Sequence, residues 1–304
     1  MSPVAQDFPP AAPGDTSRVA DLRPGQRFSG AFACVRKDRL TARSGSTYLS
    51  LELRDRSGKL PARVFREADR IGLRFQAGDA VKVQGKVERF RGEAVAELDD
   101  VERIEPGDYD PGEFLPAAYR SVSELEGFLE HLVSEIHHDG FRQTAAALVL
   151  EGPHAAEFRR APCTRWGHHA YLGGLIEHTV AIGTLVLETC QLHPRLNPDL
   201  LLAAALVHDV GKVREFTYGA EFGVSEEGRM LGHLQMGASM VDAAALGLGL
   251  DPELRLALVN CVLSHHGPPH GARGPERFAT PEALALYRVN ALDAQVKGAL
   301  ESGL

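Results

Sequence analysis

An adjacent histidine and aspartate, His208 and Asp209, end an apolar helical segment of the chain. The segment reads Leu-Leu-Ala-Ala-Ala-Leu-Val-His-Asp-Val-Gly-Lys over residues 201–212. Both side chains are costly to bury in apolar surroundings unless they are paired or coordinated. Both also carry lone pairs that metal ions accept. The segment therefore predicts a buried helix that ends in a metal-binding site.

Further histidines lie on either side of this pair, in separate helical segments or beside glycines. A lone buried histidine is usually a hydrogen-bonded core residue, but so many near helix ends are poorly explained as independent core residues. Transition metals prefer imidazole nitrogen and carboxylate oxygen, with open positions left for water and substrate. The candidate ligands are His178, His208, Asp209, His233, His265 and His266.

The chain has 304 residues, room for two domains of ordinary size, and a hydrophobic fraction of 44% that supports real cores. No apolar run approaches the roughly 20 residues that span a bilayer, so we predict no membrane partner. Residues 1–20 are rich in Pro and Ala and lack the pattern of a secretory signal, which predicts a disordered tail. The four cysteines are widely spaced, as expected for free thiols of a cytoplasmic protein.

The net charge of −8 argues weakly against a general nucleic-acid-binding protein. The charge is unevenly distributed, however. Residues 1–105 hold 19 basic and 16 acidic side chains, and the remainder holds 14 basic and 25 acidic ones. A mildly basic front segment joined to an acidic one indicates two separate tasks.

Residues 21–105 have the pattern of a small all-β domain. Short segments alternate polar with apolar residues and are separated by turn signals such as 55–58. One helical insert is expected near 67–75. About five strands in this length fit a Greek-key barrel of the OB type. The predicted strands are 26–32, 48–53, 59–65, 80–87 and 93–101.

Loose phrases at 51–58, 62–65 and 78–87 resemble those of nucleic-acid-binding OB domains. An OB surface binds single strands by stacking bases on exposed aromatic side chains beside basic ones. The resemblance therefore implies single-stranded RNA or DNA as partner. For each aromatic side chain core packing is the alternative, and for each basic one a solvated face. The candidate contacts are Phe32, Tyr48, Phe65, Phe90, Arg36, Lys37, Arg63 and Arg89.

A run rich in Pro, Gly and Asp at 105–112 breaks the composition, and we place a linker at 106–120. From 121 to 304 the pattern is helical. Ser123 with Glu126 predicts a capping box for a helix over 124–138. The predicted fold class is therefore multidomain, with an all-β barrel of the OB type at 21–105 followed by an all-α domain at 121–304.

The His-Asp pair and the flanking histidines resemble the HD superfamily of metal-dependent phosphohydrolases. In that superfamily the first histidine, the His-Asp pair and a late aspartate hold one metal ion, and further histidines accompany a second. The resemblance implies that Asp209 bridges two metals and that hydroxide between them attacks phosphorus. It also implies that Lys212 holds a phosphate oxygen, the alternative being a solvated lysine at a helix end.

The late aspartate departs from the superfamily pattern. The phrase expected in the last helix is Asp-x-x-Asp-Ala, and the chain reads Asn290-Ala291-Leu292-Asp293-Ala294. The amide oxygen of Asn290 can ligate a metal but brings no charge, and Asp293, roughly one turn on, is a candidate substitute. Superfamily members with three metals place a glutamate four residues before the first histidine. Here that residue is Gly174, so we expect two metals at most.

Phrases outside the metal set resemble the YhaM-type 3′-5′ exoribonucleases, which join an OB domain to an HD domain. The family implies Mn²⁺-dependent removal of nucleotides from a single-strand 3′ end, on RNA and often DNA, and an oligomer. It makes His168 and His169 candidates for substrate contact or for a structural role. Arg160, in a basic cluster before them, is a candidate guide for the strand or a solvated side chain. The phrases lie at 161–162, 168–179, 202–215, 227–233, 264–267 and 281–284.

The sequence is compatible with three functions. The leading one is a 3′-5′ exoribonuclease whose OB domain captures the strand. The second is an HD phosphohydrolase of small nucleotides, with the barrel serving another purpose. The third is a catalytically weakened single-strand-binding protein, because Asn290 replaces a charged ligand.

Overall fold

The computed structural model describes residues 18–42, 45–268 and 278–303. They form two compact units. Among the described residues, the first unit comprises 18–115 with 218–221, and the second comprises 116–217 and 222–303. The division after Leu115 falls inside the segment predicted as a linker. Residues 1–17 of the predicted tail lie outside the described residues, and Val19–Asp21 is a 3₁₀ helix.

The first unit is a closed five-stranded barrel in the order β1-β2-β3-β5-β4. Neighbouring strands are antiparallel except β3 and β5, which pair in parallel. The OB-type barrel predicted from the sequence is confirmed, and each predicted strand is present. The strands are β1 (Arg27–Thr41), β2 (Thr47–Asp55), β3 (Gly58–Val64), β4 (Ala80–Phe90) and β5 (Glu93–Arg103), and helix α1 (Ala68–Gly72) follows β3.

Strict alternation along β2 shows how the sequence builds this barrel. Leu49, Leu51 and Leu53 are buried, and the residues between them are not. Successive side chains of a strand point to opposite faces, so the apolar set fills the barrel interior. The other set, Tyr48 included, is left on the outer surface.

The second unit is predominantly helical, as predicted. Its helices are α2 (Val122–Ser134), α3 (Asp139–Val149), α4 (Ala155–Arg160), α5 (Gly174–Leu192), α6 (Pro198–Val207), α7 (Lys212–Glu215), α8 (Glu226–Gly247), α9 (Pro252–Ser264) and α10 (Pro281–Glu301). Two short strands, β6 (Phe216–Tyr218) and β7 (Phe222–Val224), lie between α7 and α8. No described helix has the length and apolar character required to cross a bilayer.

Helix α6 is the centre of this unit. All of its residues from Leu200 to Val207 are buried, and a helix that is apolar all round packs against neighbours on every side. Its first turn is fixed by Pro198 and by the side chain of Asn197, which accepts a hydrogen bond from the Leu200 amide. The helix therefore delivers its C-terminal His208 and Asp209 into the interior of the unit.

One helix prediction needs correction. Helix α2 starts earlier than predicted, because Ser121 rather than Ser123 is the N-cap and accepts from the Glu124 amide.

Helix α8 was not predicted individually from the sequence. Gly232, with φ of 71°, interrupts it, and glycine reaches this left-handed conformation without a steric penalty. The resulting kink places His233 at the start of the helix's second part.

Candidate metal centre and nucleic-acid interface

Asp209 is the point on which five helices converge. His208 and Asp209 follow the end of α6, and His265 and His266 follow the end of α9. The remaining candidate ligands come from inside helices: His178 from α5, His233 from α8 and Asn290 from α10. Among the described residues, two groups of metal-ligating side chains share Asp209. One is His178, His208 and Asp209, and the other is Asp209, His233, His265 and His266.

Four of these imidazoles are held in the same way. In each, Nδ1 contacts an oxygen and Nε2 is directed to the centre of the cluster. Nδ1 of His208 lies 2.8 Å from the Ala205 carbonyl, and Nδ1 of His265 lies 2.7 Å from the Val262 carbonyl. A carbonyl can only accept, so Nδ1 carries the proton and Nε2 keeps its lone pair. For His178 and His233 the Nδ1 partners are the carboxylates of Asp293 and Glu215, at 2.7 and 3.3 Å.

The two carboxylate oxygens of Asp209 face different histidines. Oδ2 lies 3.2 Å from Nε2 of His208 and 3.7 Å from Nε2 of His178. Oδ1 lies 3.3 Å from Nε2 of His265 and 3.6 Å from Nε2 of His233. One oxygen thus serves each group, which is the arrangement of a bridging carboxylate.

Facing lone pairs indicate that a cation belongs in this cluster. Nε2 of His178 lies 3.3 Å from Nε2 of His208, and Nε2 of His233 lies 3.1 Å from Nε2 of His266. Two imidazole nitrogens that face each other need a proton or a metal between them. In addition, Oδ1 of Asp209 and Nε2 of His265 are buried and have no well-formed hydrogen bond to any described residue. This set of nitrogen and oxygen donors fits divalent transition metals.

Burial keeps His178, His265 and His266 neutral and ready to ligate. It lowers the pKa of His178 and of His266 to about 4, and that of His265 to about 3. Asp209 behaves in the opposite way. Burial alone would raise its pKa, but the Lys212 ammonium holds the pKa well below its ordinary value. The Asp209 carboxylate is therefore charged close to the neutral imidazoles of His178, His265 and His266.

Lys212 is a buried component of the centre and not a solvated lysine. Its Nζ lies 2.7 Å from Oδ2 of Asp209 and 3.3 Å from Sγ of Cys163. Burial alone would lower its pKa, but the Asp209 carboxylate outweighs that effect, so the pKa is raised. The ammonium therefore neutralises Asp209 in the metal-free protein and adds a positive group near any bound phosphate.

Asn290 faces the cluster, and Asp293 does not. Oδ1 of Asn290 lies 3.0 Å from Nε2 of His178, and its Nδ2 donates to the His265 carbonyl. Asp293 lies on the other side of the ring, where Oδ2 accepts from Nδ1 of His178 and lies 3.1 Å from Nε2 of His169. Asp293 therefore does not lie among the side chains around Asp209, because its carboxylate orients His178; it forms a separate group of metal-ligating side chains with His169 and His178. Its substitution as a ligand stays a prediction.

The phrase around His168 and His169 packs against the same cluster. His169 is buried and makes hydrogen bonds to Tyr171 and Asp293, so it supports the ligands and is not exposed for substrate contact as one prediction had it. His168 is partly exposed, and its ring centroid is 5.4 Å from that of His178. Arg160, also partly exposed, is the last residue of α4. The roles of His168 and Arg160 toward a strand stay predictions.

Gly211 allows the turn after Asp209 to pack closely on α8. A Cβ at this position would lie 2.1 Å from the His233 carbonyl oxygen and 2.6 Å from the Gly237 nitrogen. Any larger residue would push His233 away from Asp209. Gly211 is thus required for the close approach of His233 to Asp209.

The outer surface of the barrel carries a row of aromatic and basic side chains. The rings of Tyr48 and Phe65 are 5.4 Å apart, and the Arg63 guanidinium lies 4.0 Å from the centroid of Phe90. Phe65 and Phe90 are 45% and 41% exposed. The row lies on β2, on β3 and its end, and at the turn between β4 and β5, which are the elements that OB folds use to bind strands.

Several predicted barrel contacts differ from this arrangement. Phe32 is fully buried inside the barrel, so its prediction as an exposed stacking residue is wrong. Lys37 is partly exposed, but its Nζ donates to the carbonyls of Gly72 and Phe75, which favours an anchoring role for α1 and the turn after it. Arg36 is exposed and forms an ion pair with Asp38. Arg89 is exposed on β4 and stays a candidate.

Comparison with known families agrees with both units. The family model for the HD domain matches residues 175–295, and an OB-fold nucleic acid binding domain model matches residues 34–104. The chain joins an OB-fold domain to an HD domain. The HD match includes every candidate ligand of the metal cluster, and the predicted resemblance to the YhaM-type family is confirmed by curated relatives.

Two such relatives share the name 3′-5′ exoribonuclease YhaM. The protein of Bacillus subtilis (strain 168) is 29% identical over 256 residues, which are 84% of this chain and 81% of the relative. The protein of Listeria innocua is 28% identical over 260 residues, with the same two shares. Among solved structures, the second OB-fold domain of replication protein A from Methanococcus maripaludis is 20% identical and has a TM-score of 0.26, covering 30% of this chain and 97% of that domain.

Two residues close to His168 in the sequence are not among the predicted site residues. Cys163 is predicted only as a free thiol, although its Sγ lies 3.8 Å from Oδ2 of Asp209. Trp166 is 71% exposed, and the Arg165 guanidinium lies 4.9 Å from its ring. The available signal is their position between two phrases of the resemblance, 161–162 and 168–179.

Proposed function

We propose that this protein is a metal-dependent 3′-5′ exonuclease of single-stranded nucleic acid, with RNA as its main substrate and DNA as a second one. The observation that carries the proposal is Asp209, whose two oxygens each face a separate set of histidines. The curated relatives named as 3′-5′ exoribonucleases support the choice of reaction. The intracellular compartment that we propose is the cytoplasm, and the oligomer implied by the resemblance stays a prediction.

The cofactor that we propose is a pair of divalent ions, with Mn²⁺ as the activating metal. Ions held there supply a water of lowered pKa and neutralise charge on the phosphate. The chain's own residues hold that site in place, because Ala205, Val262, Asp293 and Glu215 each fix the Nδ1 of one histidine. Lys212 provides a fixed positive charge for a phosphate oxygen.

The barrel's part in this function is capture of the strand. Bases stack on exposed aromatic rings while basic side chains contact the backbone. The rings that we propose for stacking are the exposed Phe65 and Phe90 and the partly exposed Tyr48, and Arg63 and Arg89 are the nearby basic side chains. Phe32 is buried in the barrel and Lys37 anchors α1, so neither belongs to this proposed surface.

The test is incubation of chelator-stripped protein with 5′-labelled single-stranded RNA, with and without Mn²⁺. We expect a metal-dependent ladder of labelled products that shortens from the 3′ end, and no ladder with Asp209→Asn. His193→Ala, a histidine outside the metal cluster, is the matched control and retains activity. A parallel substrate with a blocked 3′ terminus distinguishes the direction of cleavage.

Other outcomes would select other functions. Hydrolysis of mononucleotides or cyclic nucleotides without cleavage of the polymer would replace the exonuclease with a small-nucleotide phosphohydrolase. Strand binding without turnover in Mn²⁺, Mg²⁺, Co²⁺ or Ni²⁺ would favour the weakened binding protein. One observation favours the weakened binding protein as a second candidate function: Asn290 brings a neutral oxygen to the position that faces His178.

A further inference from the structure

Cys163 is buried at the edge of the metal cluster. Its Sγ and one ring nitrogen each of His168 and His178 all lie within 4.8 Å of one another. The same Sγ lies 3.8 Å from Oδ2 of Asp209. It therefore neighbours two members of the group formed by His178, His208 and Asp209.

This group is poor in negative charge. Its histidines are neutral ligands and Asn290 contributes an amide oxygen, so Asp209 is its only anionic ligand among the described residues. Lys212 opposes that charge directly, at 2.7 Å. A divalent ion entering this position therefore meets little net negative charge, and a further anionic ligand would stabilise it.

We propose that Cys163 is a thiolate ligand of the metal held by His178, His208 and Asp209, and that it supplies the charge that Asn290 lacks. When the metal binds, the S–H bond breaks, the proton leaves to the buffer and a metal–sulfur bond forms, with no change of oxidation state. The inference rests on the proposed metal centre and adds one ligand to it.

The other cysteines provide the comparison. Cys261 is as fully buried as Cys163, but it lies in the apolar core of the second unit and belongs to no metal-ligating group of the described residues. Cys34 lies in the barrel core, and its Sγ donates to the Arg36 carbonyl. A sulfur-specific signal from a bound metal can therefore be assigned by single substitutions.

The experiment uses Co²⁺ as the probe on the full-length, chelator-stripped protein. Co²⁺ gives visible ligand-field bands whatever its ligands are, whereas a near-ultraviolet charge-transfer band requires a Co–thiolate bond. We expect both kinds of band in the unsubstituted protein. Cys163→Ser should lose the charge-transfer band, keep ligand-field bands and bind Co²⁺ at least about tenfold more weakly. Cys261→Ser should keep both kinds of band.

Selectivity gives a second measurement. Thiolate is a soft ligand that favours Zn²⁺ and Co²⁺ over Mn²⁺. Cys163→Ser should therefore weaken Zn²⁺ binding by a larger factor than Mn²⁺ binding, measured by competition with a chelating dye. An equal loss for both metals would indicate a packing role and overturn the inference.

The outcomes separate this inference from the proposed function. Ligand-field bands without a charge-transfer band in the unsubstituted protein overturn the thiolate ligand, even if RNA is cleaved and even if a variant fails to fold. Absence of all Co²⁺ bands, together with absence of Mn²⁺-dependent cleavage, overturns the metal centre itself. Persistence of the charge-transfer band in Cys163→Ser would assign the sulfur elsewhere and also overturn the inference.

Discussion

Asn290 and Asp293 lie on opposite sides of the His178 ring. Oδ1 of Asn290 is 3.0 Å from Nε2, and Oδ2 of Asp293 is 2.7 Å from Nδ1. The neutral residue therefore faces the metal position and the charged one lies behind the ligand. A carboxylate in that place fixes the ring and makes it a more basic ligand.

Asn290→Asp should tighten Mn²⁺ binding by about tenfold or more, because an anionic oxygen replaces a neutral one. It should also lower the stability of the metal-free protein by about 1–3 kcal/mol, since the donor to the His265 carbonyl is lost. Titration calorimetry with Mn²⁺ and denaturant unfolding in chelator measure the two effects. Weaker Mn²⁺ binding in this variant would show that Oδ1 does not face the ion.

Asp293→Asn is the matched substitution on the other side of the ring. Loss of the carboxylate that orients a ligating histidine typically weakens metal binding by about 10- to 100-fold. We expect that loss in the same calorimetric titration. Unchanged affinity would assign Asp293 a role unrelated to His178.

Lys212→Met should destabilise the metal-free protein by about 3–5 kcal/mol, because Asp209 is left as a buried charge without its partner. Added Mn²⁺ should restore much of this stability, since the ion binds the folded state. The measurement is the unfolding free energy in chelator and in excess Mn²⁺.

The control for Lys212 is Lys59→Met. Its ion pair with Glu52 is largely exposed at the lysine, and such pairs contribute about 0–1 kcal/mol. Equal losses of stability in the two variants would contradict the buried pairing of Lys212 with Asp209.

The metal-free protein should lose stability as the pH falls from about 6.5 toward 4. His178 and His265 have pKa values lowered by burial to about 4 and 3, whereas an unfolded histidine titrates near 6.5. Between these values the unfolded chain binds more protons than the folded one, so stability rises with pH. Asp209 and Asp293 titrate below this window, because their pKa values are lowered.

Denaturant unfolding in chelator at pH 7 and pH 5 checks this expectation. His178→Gln should reduce the difference between the two pH values, because one of the buried bases is then absent. Equal stability at both pH values in the unsubstituted protein would contradict it.

Phe90→Ala and Tyr48→Ala should each weaken single-strand binding by about 1–3 kcal/mol, the usual value of one stacked base. Leu73→Ala, at a side chain that is 85% exposed, is the control and should bind normally. Phe32→Ala should instead destabilise the barrel by about 3–5 kcal/mol through loss of core packing. Fluorescence anisotropy of a labelled oligonucleotide, with thermal unfolding of each variant, separates the two kinds of effect.

Trp166 should report arrival of the strand at the HD domain. It is the only tryptophan of the chain and is largely exposed. Its loop is closed by a 2.7 Å hydrogen bond from Thr164 to the carbonyl of His168, whose ring centroid lies 5.4 Å from that of His178. Stacking of a base on the indole would change its fluorescence. A titration with single-stranded RNA in chelator that leaves the emission unchanged would contradict this placement.

The sequence alone predicts both folds and most of the residues that we propose as ligands. Period-two alternation assigned the leucines of β2 to the barrel interior, and the apolar run before His208 indicated helix α6. The histidines and Asp209 were recognisable because imidazole and carboxylate groups are rarely left without partners in apolar segments. These signals are local, because each depends only on residues close together in the sequence.

Which side-chain atoms contact one another depends on how the helices and strands pack together. Asn290 and Asp293 are three residues apart on one helix, and the packing of α10 against α5 determines which of them faces Nε2 of His178. Phe32 and Phe65 are both aromatic residues of the barrel segment, but one fills its interior and the other lies on its surface. Cys163 reaches Asp209 through contacts between residues far apart in sequence. Periodicity assigns a residue to a face of its own element, and the approach of other elements then determines what that face contacts.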